Sequence, residues 1–150
     1  MRRRALALAG GVDRGVARLP VLRAKERVYD GSYYRELEPV HGPMYKRLAA
    51  ALHELLAPSG VVDVGCGTGT LLAFFAARGV EVVGIEGSRH AVAVSQVGER
   101  IVRWNLERGV PSLGRFDLCL CIEVAEHLSA QHAARLAAGL SETLLPGNAA

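Results

Sequence analysis

The 150-residue chain is half hydrophobic and carries a formal net charge of +3, which supplies one packed core but too little chain for two domains of ordinary size. The charge is uneven: residues 1–27 hold eight lysines and arginines against two acids, and the remainder is slightly acidic. No run approaches the ~20 apolar residues of a membrane-spanning helix. Cys66, Cys119 and Cys121 are odd in number and lack metal-ligand spacing, which argues against a disulfide framework or a zinc site.

The opening "MRRRALALAGGVDRG" imitates a secretory leader, but its apolar run breaks at Gly10-Gly11 and meets Asp13 and Arg14 within a few residues. The expectation is a cytoplasmic protein with reduced cysteines. A basic arm of this kind can meet nucleic acid or anionic lipid, but more often it is a solvated tail. Residues 28–43, "VYDGSYYRELEPVHGP", are rich in turn formers and aromatics and read as a loop or lid. This divides the chain into an arm and lid segment over 1–42 and a folded domain over 43–150.

A helix is expected to start at Pro43, because proline suits the first helical position. Tyr45, Leu48, Leu52, Leu55 and Leu56 form its apolar face, and Pro58 and Gly60 end it. An alternation follows. The pattern predicts strands at 61–64, 81–85, 100–104 and 116–124, with helices at 70–78, 88–97 and 130–145. Short apolar strands alternating with helices imply an α/β, doubly wound, mainly parallel sheet covered on both faces.

The first strand runs into "GCGTG". Glycine there permits a tight turn and lets a ligand reach the backbone. A dinucleotide site would read G-x-G-x-x-G; here the spacing of Gly65, Gly67 and Gly69 is G-x-G-x-G, with Thr70 in the next place. Asp63 adds a negative charge that suits a ligand with a cationic amine better than a pyrophosphate. Glu86, 21 residues past Gly65, ends the second strand, where a carboxylate can accept both hydroxyls of a ribose. The pattern fits an adenosine-type ligand without phosphates.

"VVDVGCGTGTLL", "VVGIEGS" and "FDLCLCIEVAEHL" resemble the first, second and fourth strand motifs of class I S-adenosylmethionine-dependent methyltransferases, over about residues 43–150. The resemblance implies a Rossmann-like sheet of order 3-2-1-4, truncated before the fifth strand, with the edge at "FDLCLCI" open to self-association. It implies S-adenosylmethionine as cofactor, with Asp63 and Gly65 near the methionine moiety, Gly67 and Gly69 lining the loop, and Glu86 on the ribose. Asn105 is the candidate acceptor for the adenine amino group, with Trp104 beside it or in the core. Cys66 in the loop and Glu123 after the fourth strand complete the candidate cofactor set. Tyr33 and Tyr34 are candidates to close a lid, since the superfamily often uses an N-terminal segment in this way.

Methyl transfer from a sulfonium is an in-line displacement that needs alignment and sometimes a base. His127 and Glu126, in "CIEVAEHL", are the candidate catalytic groups. A weaker alternative has Glu123, Glu126 and His127 holding a divalent ion, as in relatives with E-x-x-E-H; the segment can equally shape the pocket without metal. His41, His53, His90 and His132 join no constellation and are expected to face solvent. The resulting expectation is methylation of oxygen or nitrogen on a small molecule. The rivals are a non-catalytic cofactor-binding or interaction module, an NAD-dependent oxidoreductase and an RNA methyltransferase using the basic arm. Nucleic acid is disfavoured, since no aromatic-and-basic face supports it.

Overall fold

The structure, a computed structural model, describes residues 30–145. The basic arm at 1–27 and the expected threshold of a fifth strand at 148–150 lie outside them. Four parallel strands, β1 (Gly60–Val64), β2 (Glu81–Glu86), β3 (Ile101–Arg103) and β4 (Leu118–Leu120), form one sheet of order β3-β2-β1-β4. This is the order expected from the motifs.

β1 and β2 are built from β-branched residues, and their alternate side chains enter two separate cores. Val61 and Val82 face one side with Leu71, Leu72 and Phe75, while Val62, Val64, Val83 and Ile85 face the other with Leu136 and Phe116. The first core is covered by α1 (Gly31–Leu56) and α2 (Thr70–Ala76), with Ala49 and Phe75 fully buried there. The second is covered by α4 (Ala130–Thr143) through Leu136. A short α3 (Arg89–Ala93) follows β2.

Two expectations are corrected. The loop predicted over 28–43 is helical from Gly31, so α1 begins twelve residues before Pro43 and contains both Pro39 and Pro43. Asp30 caps it, accepting from Ser32 N at 2.9 Å and Tyr33 N at 3.0 Å. Interior proline removes a backbone bond and normally breaks a helix; here Tyr34, Glu38, His41 and Tyr45 recur on the face turned toward the domain and line its cavity. The expected segment boundary between 42 and 43 falls inside this continuous helix.

The strand predicted over 116–124 is regular only over Leu118–Leu120, paired with Val61–Asp63. Its outer edge is met at its start: Phe116 N donates to Thr143 O at 2.8 Å and receives Leu145 N on its own carbonyl at 2.9 Å. Below that point the Asp117 carboxylate accepts Ser59 N (2.8 Å), Ser59 Oγ (2.7 Å) and Gly60 N (2.7 Å), tying the start of β1 to that of β4.

Burial works against ionisation of Asp117, but these donors together outweigh it and hold its pKa below the ordinary value. A depressed carboxylate stabilises the fold above its unfolded pKa and loses that effect as pH falls through the folded value. Asp117→Ala is therefore expected to cost about 1 kcal/mol at neutral pH, discounted for its exposure. The cost should shrink toward zero in acid; urea unfolding at pH 7 and pH 3 checks this.

Candidate functional site

The carboxyl ends of β1 and β2 open into a cavity of ≈ 690 Å³, at the place where ligands sit in open α/β sheets. The turn after β1 is fastened beneath it: Gly65 N and Cys66 N both donate to Ile85 O, at 2.7 and 3.2 Å. Gly65 has φ +81, and a Cβ there would lie 2.3 Å from Val124 Cγ2. Both the backbone conformation and the close approach of the segment after β4 therefore require glycine. Gly67, at φ +56, presents its N–H to Glu86 Oε2 at 2.8 Å, while Ser88 N donates to Oε1 at 2.7 Å. One carboxylate thus orders the glycine loop and the start of α3 while lining the cavity wall.

Asp63 sits one strand away, only 5 % exposed. Burial, and secondarily the charge of Glu86, push its pKa up to about 7. Glu86 is also raised by burial, against the pull of the amides of Ser88, Gly67 and Gly87. The described residues lining the cavity include no lysine or arginine. Two neighbouring carboxylates without a cation favour a positively charged ligand group between them.

The remaining expected residues divide in their placement. Gly65, Cys66, Gly67, Asn105, Glu123 and His127 all line the cavity, as do Asp63 and Glu86. Gly69 sits behind the wall, where a Cβ would meet Val97 and Ile101. Asn105 is buried and caps the turn at Leu106–Arg108, its Oδ1 accepting Glu107 N at 3.0 Å. Trp104 lines the cavity and donates through Nε1 to Gly109 O at 2.9 Å. Glu123 holds φ +57, an uncommon conformation for a non-glycine residue. Glu126 is exposed and is not among the lining residues. Among the described residues, no group of three histidines, cysteines or acids is gathered closely enough to hold a metal ion, and this includes Glu123, Glu126 and His127.

The sequence reading missed a polar cluster on the far side of the loop. Glu38, from α1, accepts Thr68 Oγ1 at 2.8 Å and Thr70 Oγ1, and Gln96 Nε2 donates to Thr70 Oγ1 at 2.7 Å. His41 was expected in solvent but lines the cavity. His53 packs against Phe74 and Phe75 with Nδ1 buried and unpartnered. The signal was present: Tyr34, Glu38, His41 and Tyr45 have helical spacing, hidden by Pro39 and Pro43.

Residues 62–149 match a family model described as "Methyltransferase domain". A ubiquinone biosynthesis O-methyltransferase of Chromobacterium violaceum is 33% identical over 90 residues, covering 51% of this chain and 36% of that protein. An uncharacterized methyltransferase of Mycobacterium sp. (strain KMS) is 42% identical over 71 residues, covering 45% and 28%. The chain thus spans about a third of the length of the curated relatives it matches. Two solved structures share the fold: a TehB-like SAM-dependent methyltransferase from Corynebacterium glutamicum and the SAM-bound amino pentose methyltransferase of Micromonospora echinaspora. The first has TM-score 0.65 at 22% identity and covers 81% of this chain and 68% of that one. The second has TM-score 0.61 at 24% identity and covers 69% and 48%. Among the described residues no helix is long and apolar enough to cross a membrane.

The Asp63 carboxyl titrates near 7 when folded and near 3.8 when unfolded, so its contribution to stability becomes less favourable as pH rises from about 4 to 7 and is constant above. Asp63→Asn is therefore expected to stabilise the ligand-free protein more at pH 8 than at pH 5, by roughly 3 kcal/mol at most, since about two of the pH units between the unfolded and folded values lie above pH 5. Thermal melts at the two pH values measure it; a stabilisation equal at both would contradict the placement of this charge.

Proposed function

The chain belongs to the methyltransferase-domain family, and from that membership we propose that its cavity holds S-adenosylmethionine for methylation of a small molecule. The observation that carries this reading is the pairing of Asp63 and Glu86 around the glycine loop. Glu86, already aligned by Gly67 N and Ser88 N, accepts the ribose hydroxyls with its free lone pairs. Asp63 neutralises the ligand's ammonium group, which in turn lowers its own pKa from about 7. Gly65 and Gly67 let the methionine portion lie against the backbone. Asn105 receives the adenine amino group on the acceptor capacity its turn leaves over, and Trp104 forms the wall beside it.

When bound, the cofactor would supply a sulfonium methyl group that passes to an in-line acceptor atom as the S–CH3 bond breaks and neutral S-adenosylhomocysteine leaves. The chain's own contribution is alignment and proton removal. His127 lines the cavity from the turn after β4 and takes the proton of the acceptor. Glu126 is solvent-exposed on the same turn and does not line the cavity. The acceptor atom is proposed to be oxygen or nitrogen. Curated relatives are named as O-methyltransferases of ubiquinone biosynthesis, and a solved relative acts on an amino pentose.

Glu86→Gln preserves shape but puts an amide where one oxygen now accepts a backbone N–H. It is expected to weaken S-adenosylhomocysteine binding by roughly 1–3 kcal/mol, with the circular dichroism spectrum unchanged. Calorimetric titration of both proteins checks this. Equal affinities in a folded variant would remove Glu86 from the ribose and the proposal with it.

A further inference from the structure

The cluster around Glu38 joins three segments that are distant in the chain. Thr68 and Thr70 belong to the glycine loop and the start of α2, Gln96 follows α3, and Glu38 comes from α1. Thr68 is 7 % exposed and Thr70 5 %. The donors form a one-way chain. Gln96 Nε2 donates to Thr70 Oγ1, Thr70 and Thr68 each donate to Glu38, and Gln96 N donates to Thr68 O at 2.8 Å. Only an acceptor with no proton of its own can end such a chain. Burial opposes the charge on Glu38, but the bonds from Thr70, Thr68 and Gln96 outweigh it together and keep its pKa low. Gly42, one turn on, leaves the space this carboxylate occupies: a Cβ there would lie 3.2 Å from Glu38 Oε1.

α1 is built in two unequal halves. Its second half is held by apolar packing, with Ala49 fully buried and Tyr45 and Leu52 against the core of α2. Its first half carries Tyr33 and Tyr34 over the cavity, and is separated from the second by Pro39 and Pro43, which flank the cavity-lining His41 and each delete one backbone hydrogen bond. A helix with its ladder interrupted twice bends most readily there.

We propose that Glu38 is a positioning residue that latches the first half of α1 onto the glycine loop, so that ligand enters and leaves the cavity only when the Glu38–Thr68–Thr70 contact opens. The proposal rests on the cofactor reading above. Glu38 itself need not touch the ligand, because its oxygens are taken up by the two threonines. The latch governs rates of exchange and the closure of Tyr34 and His41 over the bound molecule.

Trp104, the chain's only tryptophan, lines the cavity and reports occupancy by fluorescence. Stopped-flow mixing with S-adenosylhomocysteine should show faster release in Glu38→Gln by about tenfold, the factor set by losing one hydrogen bond to a charged group. Gln96→Met, altered outside the cavity lining, should shift release in the same direction. The combined variant should fall short of the product of the two effects. In the ligand-free protein, amide exchange should quicken in Glu38→Gln over residues 31–45 and not in β1 or β2. Release unchanged in both single variants would overturn the latch, and so would weakened binding confined to Glu38→Gln, which would make Glu38 a direct ligand contact. Unchanged exchange over 31–45 would also overturn it. Parent protein that binds no S-adenosylhomocysteine would instead overturn the cofactor reading, while the exchange measurement still judges the latch.

Discussion

Two carboxylates buried side by side, without a cationic side chain among the described residues of their cavity, are the feature on which the site depends. Asp63 and Glu86 stand at the ends of adjacent parallel strands because β1 and β2 pair in register from Gly60 and Glu81 onward. Backbone amides offset part of the burial of Glu86, whose pKa nonetheless stays raised, whereas the pKa of Asp63 is pushed up to about 7 by burial and by its neighbour's charge. Such an arrangement costs stability in the empty protein. The cationic ligand group proposed above would offset that cost.

The fold brings this about with little regular structure. Each core is anchored by a few fully buried residues, chiefly Phe75 and Leu72 on one face and Ile85 and Leu136 on the other. β3 and β4 are only three residues each, so they position side chains mainly through the turns that follow them: Asn105 caps one, and Glu123 bends the other at positive φ. α1 closes the open side, and it is tied both to the core by packing and to the glycine loop by hydrogen bonds from the threonines.

Much of this was legible in the sequence because glycine spacing and β-branched runs act locally. Val61–Val64, the Gly65–Gly69 turn and the acid at Glu86 each follow from period and position alone. The strand order, Asn105 and the S-adenosylmethionine reading came through resemblance to a family. What escaped was nonlocal. Pro39 and Pro43 spelled a loop, and only the packing of Tyr34, Glu38, His41 and Tyr45 against the domain makes that stretch helical. Thr68 drew no role and Thr70 only the start of a helix and the place after the third glycine, since nothing near them in sequence names Glu38 as their partner. "FDLCLCIEV" read as a long strand because its apolar alternation continues past Leu120, where the backbone has already turned to bring Val124 against Gly65.

The central claim is that the cavity recognises an uncharged ribose together with a cationic amino acid end. Calorimetric titration of the chain with S-adenosylhomocysteine, with NAD as the control, tests it most directly. The account predicts micromolar or tighter binding of the first and none of the second, because a pyrophosphate would meet Asp63 and Glu86 instead of a cation's place. Binding of NAD, or of neither ligand by a chain shown to be folded, would contradict it.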